Sequence, residues 1–94
     1  MTYIRESSVE RRFVQCAENA GWIVRKLKWP GRRHAPDRVM MRRVAELVFV
    51  ELKAPKGVLK PGQAREHERL RALGFEVVVL WSVKSVEEYF HADN

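Results

Sequence analysis

Hydrophobic and polar positions follow two periods along this chain, and they predict helices near both ends with strands between them. In residues 6–21, Val9, Phe13 and Ala17 share one face of a helix that Gly21 ends. Residues 75–81 are rich in β-branched side chains, which is typical of a strand. The predicted order is helix 6–21, strand 22–29, hairpin strands 37–42 and 46–53, helix 61–74, strand 75–81 and helix 85–90. The passage 46–81 is long enough for a crossover, so its two strands can be parallel in a mixed sheet with helices on its faces.

The hairpin carries charged residues at the ends of its strands. Alternation places Glu51 and Lys53 on the same face of the second strand. A three-residue turn at 43–45 would pair Arg42 with Glu46. The same register would set Asp37 opposite Glu51, at a cross-strand distance of about 5 Å.

Two neighbouring carboxylates form a hard-oxygen site that suits Mg²⁺ or Mn²⁺. Lys53 adds a cation that can steady a water molecule or a phosphate oxygen. These are the components of metal-assisted phosphodiester hydrolysis. The structural alternative is an ion pair between Glu51 and Lys53 at a strand end, with Asp37 only beginning a turn after Pro36.

The net charge favours a polyanionic partner. Eighteen basic and twelve acidic residues give +6 and a pI near 10.0. Between Arg25 and Arg43 the only acidic residue is Asp37. Such a tract favours nucleic acid over an acidic membrane surface, although a solvated surface that keeps the domain soluble is the alternative.

Several classes of protein are disfavoured by the composition. A single cysteine, Cys16, allows no internal disulfide and argues against a cysteine-based zinc site. It indicates a reducing, cytoplasmic setting. No apolar run approaches the length of a membrane span, and the first residues have no signal-peptide pattern. The 94 residues are expected to form one domain, 1–94.

The motifs resemble those of a known nuclease superfamily. "PD" at 36–37 and "ELK" at 51–53 are similar to the PD-(D/E)XK signature, and the order of elements is similar to its core. More narrowly, the chain resembles the VRR-Nuc branch in having a glutamate in the first helix, "LKPGQ" before the second helix and "GFEVVVLW" as the last strand. The resemblance implies an α/β fold with a restriction-endonuclease-like α-β-β-β-α-β(-α) core. It also implies a stand-alone nuclease of the phage or bacterial type, acting in the host cytoplasm.

The resemblance implies a role for each matching residue. Asp37 and Glu51 would bind the metal together with the backbone carbonyl of Leu52, and Lys53 would position or deprotonate the attacking water. Glu10 would hold a metal-bound water or a second ion, whereas the residues alone favour a helix cap for it, as the partner of Ser7 in a capping box. Gln63 would lie at the edge of the site, although a surface glutamine is nearly as plausible.

The implied substrate is branched DNA, with Mg²⁺ or Mn²⁺ as cofactor and a homodimer that cuts four-way (Holliday) junctions. The alternatives are a non-catalytic DNA-binding module on the same fold, or a nuclease that acts on flaps or RNA. An apolar face on the last helix, formed by Val86, Tyr89 and Phe90, is a candidate dimer surface. The predicted DNA contacts are Arg32, Arg33, Arg38, Lys56 and Lys60.

Overall fold

The computed structural model describes residues 6–92, which contain three helices and four strands. In chain order they are α1 (Glu6–Asn19), β1 (Ile23–Lys26), β2 (Arg38–Arg42), β3 (Glu46–Leu52), α2 (Pro61–Ala72), β4 (Glu76–Leu80) and α3 (Val83–Ala92). Gly21 and Gly74 follow α1 and α2 with φ of 89° and 97°, a left-handed conformation that glycine adopts without steric cost.

The strands form a single mixed sheet in the order β1-β2-β3-β4. β1 and β2 are antiparallel, as are β2 and β3, and β4 runs parallel to β3 after the α2 crossover. This arrangement confirms the predicted α/β class and the predicted order of elements. Within residues 6–92, no helix combines the length and the apolar character needed to cross a bilayer.

The β2–β3 hairpin has the predicted register. Arg42 is paired with Glu46, and the Arg42 side chain also donates a hydrogen bond to the Glu46 carboxylate at 2.7 Å. Ala45 has φ of 56°, as the last residue of a three-residue hairpin loop requires. At the other end of the ladder Arg38 lies opposite Val50, which is the register that the active-site prediction needs.

The core lies between the sheet and the pair of helices α1 and α3. Met40, Val48, Val50 and Leu52 point from β2 and β3 into this layer and are almost completely buried. They meet Val9, Phe13 and Ala17 of α1, which confirms the apolar face predicted for that helix.

The dimer surface predicted on the last helix is wrong. Val86 is fully buried and Phe90 is 8% exposed, because α3 packs against α1 with the Phe90 ring 6.0 Å from that of Phe13. Tyr89 is half-buried, and its hydroxyl donates to Glu76 at 2.9 Å. The apolar stripe of α3 therefore belongs to the core of this chain.

Candidate active site

The three hairpin residues lie at one end of the β2–β3 pair. Asp37 comes directly before β2 and is exposed, Glu51 lies near the end of β3 and is buried, and Lys53 follows β3. The ladder register, extended by one residue beyond Arg38 and Val50, places Asp37 opposite Glu51. The Lys53 N–H donates to Leu80 O at 2.9 Å, so the backbone stays paired with β4 one residue beyond the end of β3. The fold therefore brings Asp37, Glu51 and Lys53 to one end of the sheet.

Pro36 has a backbone role at this point. Because the Lys53 N–H points to β4, alternation along β3 directs the Leu52 carbonyl toward β2. The register places Leu52 opposite Pro36, which has no N–H to donate. Pro36 is itself fully buried, and its carbonyl accepts a hydrogen bond from Trp29 Nε1 at 2.6 Å. The ladder thus stops where the Leu52 carbonyl faces the site.

Gln63 connects the second helix to the hairpin. Its side-chain oxygen accepts hydrogen bonds from Lys53 Nζ and from the Lys60 backbone N–H, both at 3.0 Å. The first contact orients the ammonium group, and the second satisfies a donor at the start of α2. The prediction that Gln63 lies at the edge of the site agrees with this geometry.

Arg38 is buried, with only 6% of the residue exposed, although a charged residue at the start of a strand is expected to point outward. Its guanidinium lies between two acidic side chains: Nη1 donates to Asp37 Oδ1 at 2.7 Å, and Nε and Nη2 both donate to Glu10 Oε2. Burial disfavours this charge, but Glu10 and Asp37 outweigh burial and raise the pKa of Arg38 above its ordinary value. Arg38 is therefore a charged bridge between α1 and the site.

Glu10 is held by basic side chains. Its carboxylate is bonded by Arg38 and lies 3.5 Å from Lys26 Nζ, and the Arg38 hydrogen bond holds the pKa of Glu10 below its ordinary value. The capping box predicted for Ser7 is wrong, because α1 already includes Glu6 and Ser7. Among residues 6–92, no three acidic, histidine or cysteine side chains gather closely enough to hold a metal ion. Glu10 is thus linked to Asp37 through Arg38.

His67 lies near the site, although the sequence motifs did not single it out. It is completely buried, and its Nε2 lies 3.5 Å from Glu51 Oε1. Burial, then the nearby charges of Arg71 and Lys53, lower the pKa of His67, so the ring is kept neutral. Its position four residues after Gln63, on the same helix face, was the available signal.

The residues predicted to contact DNA fall into three groups. Arg33, Lys56 and Lys60 are exposed in loops beside α2. Arg32 is paired with Glu66 of α2, whose carboxylate also accepts a hydrogen bond from Arg69 at 2.9 Å. Arg38 differs from all of these because it is buried in the bridge between Glu10 and Asp37.

Glu66 is expected to make stability sensitive to acid. Its hydrogen bond from Arg32 is the main cause of a pKa below the ordinary value of 4.5, with Arg69 contributing and burial opposing. The stabilisation is complete above that ordinary value and is lost as the pH falls through the folded-state pKa. Glu66→Gln should cost about 1 kcal/mol or more at pH 7 and flatten the loss below pH 4.5.

Urea midpoints measured from pH 7 to pH 3 test this expectation. Glu68→Gln is the matched control, since its carboxylate lies on the same helix with 73% of the side chain exposed. Parallel acid profiles for the Glu66 variant and the unmodified chain would contradict the expectation. Glu10, whose pKa is also lowered by the Arg38 hydrogen bond, is expected to contribute acid sensitivity in all of these variants.

Comparisons with known proteins assign the chain to a family. No protein-family model matches the sequence. A solved structure described as "VRR_NUC domain" superposes with a TM-score of 0.84 and 36% identity, covering 92% of this chain and 94% of the other. A protein of Acyrthosiphon pisum secondary endosymbiont phage 1, named "Putative nuclease p44", is 45% identical over 80 residues, or 85% of this chain and 86% of that protein.

The chain belongs to the VRR-Nuc family. The resemblance read from the PD and E-x-K motifs is thus confirmed, together with a nuclease function. The match covers nearly the whole of both relatives, so the VRR-Nuc fold accounts for the described residues from α1 to α3. The roles of Asp37, Glu51 and Lys53 remain predictions that the geometry supports.

Proposed function

We propose that this VRR-Nuc protein is a divalent-metal-dependent endonuclease that hydrolyses phosphodiester bonds in DNA. The observation that carries the proposal is the meeting of Asp37, Glu51 and Lys53 at one end of β2 and β3, with Lys53 Nζ held at 3.0 Å by Gln63. An ion pair at a strand end would not need a glutamine from the next helix to orient the lysine. Two carboxylates beside an oriented lysine are groups that metal-assisted hydrolysis would use.

The donor groups fit Mg²⁺ or Mn²⁺. Asp37 and Glu51 supply carboxylate oxygens, and the strand alternation directs the Leu52 carbonyl to the same place. All three are hard oxygen ligands, which these two ions prefer. When bound, the ion would act as a Lewis acid on the phosphate and favour the deprotonated form of the attacking water. Glu10 would contribute through water or a second ion.

The chain's own residues prepare the site for an anionic substrate. The Lys53 ammonium, oriented by Gln63, would position the attacking water and oppose the negative charge that develops on the phosphate. As the new oxygen–phosphorus bond forms, the attacking water would give up a proton to solvent and the bond to the leaving oxygen would break, after which that oxygen takes up a proton from solvent. Arg38 neutralises part of the charge of Asp37 and Glu10, which lowers the repulsion that an incoming phosphate meets.

The substrate that we propose is branched DNA, four-way junctions in particular, which the protein would meet in the cytoplasm of a bacterial host. The excess of basic residues supports binding to phosphates, since each neutralised phosphate adds salt-dependent affinity. A homodimer would supply two active sites for two strands. Support for self-association comes from an apolar groove on the sheet face, lined in part by Trp29, Met41, Leu47 and Phe49.

Removal of the metal is expected to abolish cleavage. The experiment compares labelled four-way junction, flap and duplex DNA, and a single-stranded RNA, with Mg²⁺, Mn²⁺ or EDTA. Cleavage that requires either ion and is fastest on the junction would support the proposal in full. Faster cleavage of the flap or the RNA would contradict the proposed substrate but would still support metal-dependent hydrolysis. Binding without cleavage under every condition would contradict the proposed endonuclease activity and support the alternative, a non-catalytic DNA-binding module.

A further inference from the structure

A cavity of about 230 Å³ lies between α2 and the loop before β2. Gly62, Arg65, Glu66 and Arg69 line it from the helix, at the i, i+3, i+4 and i+7 spacing of a single face. Gln63 and His67 project from another face of the same helix toward Lys53 and Glu51. The helix α2 thus has the candidate active site on one side and this cavity, the arginine pocket, on another.

The loop that closes the arginine pocket has a defined conformation. Residues 29–32 form a turn in which the Arg32 N–H donates to Trp29 O at 2.9 Å, with Pro30 second and Gly31 third at φ of 79°. These are the residues that a type II turn requires at those positions. His34 packs directly on Gly62, where an added Cβ would come within 2.4 Å of His34 Cδ2. The loop and the helix are therefore in close contact, and this contact fixes the two walls of the pocket relative to each other.

Glu66 orients two of the four arginines. Its Oε1 accepts hydrogen bonds from Arg32 at 2.5 Å and from Arg69 at 2.9 Å, and only 9% of its side chain is exposed. The carboxylate stays ionised, since these contacts lower its pKa. A buried anion that receives hydrogen bonds from both walls restricts the rotamers of Arg32 and Arg69, so less entropy is lost when they bind a ligand.

The pocket has positive charge in excess. Four arginines, Arg32, Arg33, Arg65 and Arg69, line the pocket together with the single carboxylate of Glu66, which leaves three positive charges in excess. Within residues 6–92, neither Arg33 nor Arg65 forms an ion pair with a carboxylate. Planar guanidinium groups match the oxygen geometry of phosphate.

We propose that the arginine pocket binds a phosphate group of the nucleic acid substrate, separate from the phosphate that is cleaved. The inference rests on the proposed function for the identity of the ligand, since the substrate brings several phosphates to this side of the protein at once. Because Gly62 and Gln63 are consecutive in α2, the pocket lies beside the candidate active site. A phosphate held there would set the position of the strand along the site without reading any base.

Arg33→Ala and Arg65→Ala test the pocket, and Arg43→Ala is the matched control. Arg43 is exposed at the hairpin turn, at the opposite end of β2 and β3 from Asp37 and Glu51, and its replacement removes the same charge. Dissociation constants for junction DNA would be measured by anisotropy over a range of salt concentrations, in EDTA so that no strand is cut. Thermal unfolding of each variant verifies folding. DNA lacking its 5′-phosphates, or carrying one neutral methylphosphonate internally, identifies the phosphate involved.

The pocket variants are expected to weaken binding by about 5- to 20-fold and to lower the salt slope by about one, with less than a twofold effect from Arg43→Ala. If loss of the 5′-phosphate weakens DNA binding by the unmodified chain but not by Arg65→Ala, the pocket binds a terminal phosphate. The same pattern with a methylphosphonate would identify an internal one. If all three substitutions weaken DNA binding equally, the proposal that the pocket binds a phosphate is wrong. Because no cleavage is measured, the result does not depend on whether the proposed metal-dependent cleavage is observed.

Discussion

Replacing Lys53 with methionine is expected to reduce cleavage by about a hundredfold or more at saturating DNA. The ammonium group is oriented by Gln63 at the end of β3, where the developing charge of the phosphate would lie. Methionine retains most of the apolar volume and removes the charge and the donor. The loss should therefore be in the rate of the chemical step, with DNA affinity changed by only a few fold.

Single-turnover cleavage, with enzyme in excess over labelled junction DNA, separates the chemical step from binding and product release. Lys84→Met is the matched control, since Lys84 is exposed on α3, outside the candidate site. A Lys53 variant that cleaves within about threefold of the unmodified chain would remove the lysine from the mechanism. A variant that fails to bind would assign Lys53 to substrate affinity.

Replacing Arg38 with methionine is expected to be the most destabilising change of a charged residue in the site. Arg38 is almost completely buried and donates to both Glu10 and Asp37. Removing one member of a buried pair leaves the other charge without compensation, at a typical cost of about 3–5 kcal/mol. Glu10 retains 28% side-chain exposure and Asp37 56%, so water compensates in part, and a loss of about 2 kcal/mol is expected.

Urea unfolding of Arg38→Met, Glu10→Gln and the double variant measures the interaction directly. A less-than-additive loss in the double variant is expected, because the neutral amide introduced by Glu10→Gln no longer needs the guanidinium. Arg12→Met is the control: Arg12 joins Glu87 across α1 and α3 with both side chains exposed, and exposed pairs contribute less than about 1 kcal/mol. If Arg38→Met costs no more than Arg12→Met, the bridge is not a stabilising element.

The hairpin could be predicted from sequence because its information is local. Alternation assigned the faces of β3, and the pairing of Arg42 with Glu46 set the register that reaches Asp37 and Glu51. The parallel pairing of β3 and β4 followed from the length of the crossover alone. The predicted register agrees with the structure because side chains alternate along a strand with a period of two, which leaves few ways to pair the strands of a short hairpin.

The interactions that could not be predicted join residues distant in sequence. Arg38 is buried because Glu10, 28 residues earlier, lies above it on α1. His67 is buried against Glu51 because α2 lies beside the end of β3 that carries Glu51. Val86 and Phe90 formed an apolar stripe whose partner, α1, cannot be identified from α3 alone. The sequence pattern indicates which side chains are apolar or charged, but the surface that covers each of them depends on how the helices pack.

Under the proposed chemistry, the Arg38 bridge would separate folding of this protein from its activation by a metal ion. Neighbouring carboxylates repel one another when no cation is present, but Arg38 already balances the charge of Glu10 and Asp37. We therefore expect the chain to fold in a compartment or buffer that lacks divalent ions. Under the proposed chemistry, ion supply would then act as an on-switch for a finished protein, with no refolding step between storage and use.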